Sequence, residues 1–214
     1  MSPSPSRNIL LVSIAILAGI LAMFALRHSS SPRQAAIPPE MQAILWPAPR
    51  AIADFRLLEQ HGQPFSKSDL TGHWSLLYFG YLQCPDICPT TLQSLARMRA
   101  LMLEAHADAE IPQIVFVSVD PSRDTPDRIA GYLAFFDKAL VGLSGPPAAL
   151  DALADSIGIA YAENVEASGL RTMDHTTSII VVDPQGRAVA ALPAPHQPAV
   201  MLRQFDALRA FLTR

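Results

Sequence analysis

The sequence predicts an α/β domain, a mixed sheet with helices on both faces. Three observations carry that expectation. Residues 74–81 (WSLLYFGY), 113–119 (QIVFVSV) and 178–182 (SIIVV) are continuous apolar runs, the pattern of strands covered on both faces. Between them lie segments whose apolar residues recur at helical spacing. Two short turn signals, His61-Gly62-Gln63 and Asp183-Pro184-Gln185-Gly186, read as the tips of hairpins.

Each element has its own reason. Residues 52–57 alternate apolar and polar, and with 64–66 they make the first hairpin. Residues 74–81 form a buried strand. Pro89 suits the first helical position, and Leu92, Leu95, Met98, Leu101 and Met102 then form one apolar stripe. Residues 113–119 form a second buried strand, so the two strands and the helix between them read as a β-α-β crossover. Thr125 as N-cap and Pro126 after it start a helix that runs to about residue 136. Residues 146–157 read as another helix, with Leu150, Leu153 and Ile157 on one face, and residues 159–163 as a short strand. Residues 178–182 and 187–192 pair as a late hairpin. Residues 198–213 close the chain as an amphipathic helix with Met201, Phe205, Leu208 and Leu212 inward.

Ahead of this domain, residues 9–26 run for eighteen positions with no charge and no proline. A helix of that length spans about 27 Å, close to the hydrocarbon core of a bilayer. The expectation is one N-terminal transmembrane helix acting as an uncleaved signal anchor, since no small-x-small cleavage site ends it. The implied organisation is a short tail at 1–8, the anchor at 9–26, a Pro-rich linker at 27–50 with neither helical nor strand period, and the domain at 51–214. The expected setting is a single-pass protein of a bacterial inner membrane with its soluble domain in the periplasm.

Composition excludes other classes. Of 214 residues, 16 are Lys or Arg and 19 Asp or Glu, for a net charge of −3, which leaves no basic footprint for nucleic acid. Half the residues are hydrophobic, which excludes a disordered chain. Two cysteines are too few for a disulfide scaffold.

Both cysteines fall in Cys84-Pro85-Asp86-Ile87-Cys88-Pro89, where an apolar strand ends and a helix begins. Active groups collect at the carboxyl ends of strands in such sheets. Unpaired N–H groups at the helix start favour thiolate, while the Asp86 carboxylate opposes it. Three intervening residues put the thiols on one side of a helical turn, where they can clamp a soft ion or close into a disulfide.

A third ligand must come from six histidines. His28, His61, His106 and His196 read as solvent-facing. His73 precedes the first buried strand and falls at the far end of the sheet. His175, in Met173-Asp174-His175-Thr176-Thr177, precedes the strand at 178–182. If that strand runs antiparallel beside the central one, His175 lies at the cysteine end. Two thiolates and an imidazole suit Cu(I), and Cu(II) with one more ligand. Zinc prefers a fourth closed ligand, for which Asp174, Asp86 or water is available. Met173 reads as core packing or an exposed residue rather than as an axial thioether, and Met98 and Met102 as core rather than a methionine array.

The stretch 77–81 (LYFGY) with Cys84-Pro85-Asp86-Ile87-Cys88-Pro89-Thr90, then Val117-Ser118-Val119-Asp120-Pro121 with Arg123-Asp124-Thr125-Pro126, then Asp174-His175, strongly resembles the Sco family, also called SenC. The likeness covers residue 51 to the C-terminus, and the anchor and linker agree with it. It implies a thioredoxin-like fold and copper binding by Cys84, Cys88 and His175. The implied role is copper delivery to the binuclear copper centre of cytochrome c oxidase, or reduction of the thiols there. The implied partners are the oxidase copper-site subunit and another copper chaperone or a thioredoxin-like reductant. Asp120 and Asp124 match the family's acidic turn, as structural support or partner contact. Met173 is the one local departure.

Two functions remain open on the sequence. The first is a chaperone that holds Cu(I) and Cu(II) and is not an enzyme. The second is a thiol–disulfide oxidoreductase using Cys84 and Cys88 as a redox pair. No proline occurs at residues 170–182, where thioredoxin-type enzymes carry one beside the site, and His175 takes the comparable place. That favours metal. A peroxidase reading is weaker, because the Cys-Pro spacing matches no peroxidatic site.

Overall fold

A computed structural model describes residues 16–20, 22–24, 37–105 and 111–213. The chain divides into two compact units, Met1–Ile37 and Pro38–Arg214. In the first, residues 16–20 and 22–24 are helical and exposed. No helix among the described residues is long and apolar enough to cross a membrane. The expected span at 9–26 falls for the greater part outside the described residues, as do His28 and His106.

The second unit is built on an eight-stranded mixed sheet among the described residues. Its elements in chain order are α1 (Pro39–Gln42), β1 (Leu45–Ala51), β2 (Arg56–Glu59), β3 (Pro64–Ser66), a 3-10 turn (Lys67–Leu70), β4 (Ser75–Gly80), α2 (Ile87–Ala105), β5 (Gln113–Ser118), α3 (Pro126–Leu133), β6 (Val141–Ser144), α4 (Pro147–Ile157), β7 (Tyr161–Val165), β8 (Arg171–His175), β9 (Ile179–Val182), β10 (Arg187–Leu192) and α5 (Pro198–Leu212). The strand order is β1-β10-β9-β4-β5-β6-β2-β3, and β7 with β8 forms a separate two-stranded sheet.

The apolar runs occupy the middle. All six residues of β4 and all four of β9 are buried, so both faces of the sheet are covered there. β4 and β5 pair in parallel from Ser75↔Gln113 to Gly80↔Ser118, as the β-α-β reading requires. β9 runs antiparallel to β4 with Leu77 opposite Ile180, so β9 begins where β4 ends. Helix α2 packs on α5 and α5 on α1, while α3 lies against β6 and α4 against β1 and β2. Trp74, Tyr78, Phe79, Phe116 and Phe205 are among the largest fully buried side chains. Trp74 and Phe205 meet edge-on at 5.7 Å, tying α5 to the sheet. Gly158 ends α4 at φ 75°, the left-handed position that favours glycine.

Several local expectations are corrected. Residues 45–50, expected in a linker without strand period, belong to β1, which pairs with β10. Pro47 and Pro49 hide the strand because they lack N–H donors, and proline is tolerated at a sheet edge. β6 and β8 were not anticipated. The first is four residues long and contains a glycine, and the second is largely exposed. Helix α2 begins at Ile87 rather than Pro89, which brings Cys88 into its first turn. Helix α3 ends at Leu133, not near residue 136. Leu212, expected inward, is exposed.

Candidate metal centre

Strand β4 ends at Gly80, and Cys84 lies in the loop beyond it. Cys84 is 8% exposed and Cys88 is fully buried, and both thiols are free. The Cys88 amide is one of the N–H groups that a helix start leaves without an internal partner. It donates to Cys84 Sγ at 3.4 Å. Gly80 makes room for the pair, since a Cβ there would stand 2.8 Å from Cys88 Sγ and 3.0 Å from the Phe116 ring.

His175 arrives from the other side, at the end of β8. Its Nε2 lies 3.5 Å from Cys88 Sγ. Its Nδ1 lies 3.1 Å from the Thr176 carbonyl. A carbonyl only accepts, so Nδ1 carries the proton and Nε2 presents its lone pair to the sulfur. The rings of Tyr78 and Tyr81 meet the imidazole edge-on, with centroids 6.2 Å and 6.1 Å away.

Burial sets the protonation. It pushes the Cys88 thiol up to about 12, against the smaller opposing effect of hydrogen bonds from Tyr78 and Tyr81. Burial also pushes His175 below the ordinary histidine range. At neutral pH the metal-free site is therefore a protonated Cys88 beside a neutral imidazole, with the thiol proton able to bridge them.

Three ligand atoms, one each from Cys84, Cys88 and His175, lie within 4.8 Å of one another, and among the described residues this is the group of donors able to hold a metal ion. The other candidates stand apart. Asp86 is exposed, and Asp174 accepts a 2.6 Å bond from Asn164. Met173 is buried and lines a cavity of about 680 Å³ with Val119, Leu150 and Tyr161. Met98 and Met102 are core, as their spacing suggested. His73 bonds Gln113 at the start of β4, at the far end of the sheet, and His61 is exposed.

His196 overturns its expectation. It is 9% exposed rather than solvent-facing, bonds Thr91 Oγ1 and the Leu192 carbonyl, and packs edge-on against Tyr78. A sequence signal existed. The late hairpin turns β10 back into the direction of β4, so the loop after β10 must emerge at the cysteine end.

The acidic turn braces both halves. Asp124 Oδ2 accepts from Ser118 Oγ at 2.8 Å and from the Leu82 amide at 3.1 Å, fixing the start of the cysteine loop. Asp120 pairs with Arg123. Arg123 Nη1 donates to Gln83 Oε1 at 3.0 Å and to the Arg171 carbonyl at 3.1 Å. One guanidinium thus joins the cysteine loop to the strand that carries His175.

A dithiol at the end of a central strand, where a helix begins, on a sheet that mixes parallel and antiparallel pairs, defines a thiol protein of thioredoxin-like fold. The SCO1/SenC family model matches residues 47–209, and the chain belongs to that family. A Stutzerimonas stutzeri protein named as copper-binding is 33% identical over 176 residues, covering 82% of this chain and 85% of that protein. The crystal structure of Arabidopsis thaliana ScoI with copper bound has a TM-score of 0.69 at 30% identity, covering 75% of this chain and 99% of that one. Bradyrhizobium japonicum ScoI with copper bound has a TM-score of 0.65 at 34% identity, covering 74% and 98%.

Proposed function

We propose that this chain is a membrane-anchored copper-binding protein that assists assembly of the binuclear copper centre of cytochrome c oxidase, holding copper through Cys84, Cys88 and His175 and passing it on. The observation that carries the reading is the convergence of two sulfurs and one imidazole nitrogen within 4.8 Å, a soft donor set suited to Cu(I). The copper-bound ScoI structures support it. The oxidase as destination comes from the family likeness of the motifs.

Copper is cargo here. Its arrival displaces the Cys88 proton, while the Nδ1–H bond to the Thr176 carbonyl keeps the Nε2 lone pair of His175 aimed at the site. Departure proceeds by exchange of Cys84 and Cys88 for thiolates of the acceptor. The anchor at 9–26 sets the domain on the periplasmic side of a bacterial inner membrane. Reporter fusions after residue 50 test that placement: periplasmic activity is expected, and cytoplasmic activity overturns it.

Copper equilibration of the full chain tests the site. About one copper per chain is expected, with a thiolate-to-Cu(II) charge-transfer band. His175→Ala weakens Cu(II) more than Cu(I), and equal loss for both states overturns the ligand set.

The freedom and proximity of the two thiols favour one second reading, a thiol–disulfide reductant. Cys84 and Cys88 would give up two electrons and two protons to an acceptor disulfide, becoming a disulfide themselves. Catalytic turnover of a disulfide substrate by the metal-free chain would move the assignment to this reading.

A further inference from the structure

Cys88 has a second polar neighbour that the copper reading does not use. The Tyr78 hydroxyl lies 3.5 Å from Cys88 Sγ and is placed to donate to it. Tyr78 is fully buried in the middle of β4, so this phenol has no water to turn to. Its other polar neighbour is Thr91, a buried residue one turn along α2.

Behind Thr91 stands His196. Its Nε2 faces the Leu192 carbonyl at 3.3 Å, which only accepts, so Nε2 carries the proton. Burial pushes this imidazole below the ordinary histidine range, so the ring is neutral and Nδ1 is an acceptor. The Thr91 hydroxyl then donates to Nδ1 at 3.1 Å, and its single proton is committed there. Tyr78 keeps its own proton, and a metal thiolate is the strongest acceptor within its reach.

We propose that Tyr78, packed edge-on against the buried His196 ring, is a positioning residue that biases the metal centre toward Cu(I) by donating a hydrogen bond to Cys88 sulfur. This rests on the copper reading. The physical reason is charge. A thiolate on Cu(I) carries more negative charge than one on Cu(II), which draws electron density from sulfur, so a fixed donor stabilises the reduced form more. Hydrogen bonding around a cysteine sulfur is a recognised means of setting a copper site's potential. No electron is stored by Tyr78; in the couple Cu(II) + e⁻ → Cu(I) the electron comes from an external reductant.

The test compares the full-length wild-type chain with Tyr78→Phe, which keeps the ring and removes only the hydroxyl. Both are loaded with copper in detergent and titrated with a redox mediator. Tyr78→Phe is expected to keep one copper per chain and to lower the preference for Cu(I) over Cu(II) about tenfold, which is about 59 mV for a one-electron couple. The charge-transfer band should move to lower energy. As a second measurement, the copper–sulfur vibration should shift in D₂O more for the wild type than for Tyr78→Phe, in which only the backbone N–H bonds to sulfur remain, a difference that a packing role would not give. A wild type that binds copper, with potential, band and deuterium response unchanged in Tyr78→Phe, overturns this inference alone. A wild type that takes up no copper overturns the site assignment, and this inference with it.

Discussion

Cys88 and His175 stand 3.5 Å apart but belong to different kinds of structure. Cys88 is in the first turn of α2, under a strand with every residue buried. His175 ends a strand whose ladder partner among the described residues is β7, and most of that hairpin is exposed. The sulfurs are therefore set by the packing of the core, which resists small displacements. The imidazole is set by a few bonds, chiefly Thr176 to Ala160 at 2.9 Å and Arg123 to the Arg171 carbonyl at 3.1 Å. A site built this way keeps its thiol pair fixed while its third candidate ligand sits on an element that can shift at little cost to the fold.

Breaking the rigid half gives the largest effect. Cys88→Ser should abolish stoichiometric copper binding, read by metal analysis after gel filtration, whereas His175→Ala retains Cu(I) through the two sulfurs. Equal losses in the two variants would erase the distinction between the halves.

Acidity comes next. The Cys88 thiol is raised to about 12, so copper must displace its proton throughout the neutral range. His175 is depressed by burial, which reduces its share of the proton release. The Cys88 proton alone should therefore make affinity rise about tenfold per pH unit, so at least roughly a hundredfold from pH 6 to 8 is expected. A competition titration with a chelator of known pH dependence checks this, and a flat profile would mean that the thiol is already ionised. The same shift affects the metal-free fold. A thiol raised on folding contributes stability that is present below its unfolded value and is lost as pH rises toward 12.

Gly80→Ala tests how firmly the core holds Cys88. The new methyl meets Cys88 Sγ and the Phe116 ring, and overpacking of this kind costs about 1–3 kcal/mol. Urea unfolding of the metal-free chain should show the loss. Unchanged stability would mean that β4 and α2 can separate, and the cysteine half would not be rigid.

Arg123→Ala acts on the joint between the halves. Copper affinity should fall roughly tenfold, about 1.4 kcal/mol, with faster amide exchange in β8 and little change in β4. The smallest effect belongs to the hairpin tip. Leu170 is 56% exposed, and Leu170→Ser should alter stability by less than about 0.5 kcal/mol, as measured by thermal unfolding.

The same contrast explains what could be read from the sequence. β4, β5 and β9 are legible because strands covered on both faces must be apolar throughout. α2, α4 and α5 are legible from their stripes, and Cys84, Cys88 and His175 because rare residue types stand at element ends. β8 is not legible, because an exposed hairpin strand such as Arg171–His175 places no demand on its pattern. β1 is masked by Pro47 and Pro49. His196 reads as surface because proline-rich loops usually are, and only the return of β10 toward the cysteine end contradicts that. Arg123 lies in a matched motif, but its bonds to Gln83 and Arg171 span 40 and 48 residues, a separation that no local pattern encodes.

The prolines of β1 matter beyond having concealed it. The sheet has two borders, β1 and β3, and both contain proline: Pro47 and Pro49 in one, Pro64 in the other. A border strand offers its free N–H groups to any passing chain, and proline withdraws them. For a protein whose interior strands are as apolar as SLLYFG and IIVV, such borders oppose sheet-to-sheet recruitment and hence aggregation. They do so without adding charge near a centre that depends on charge.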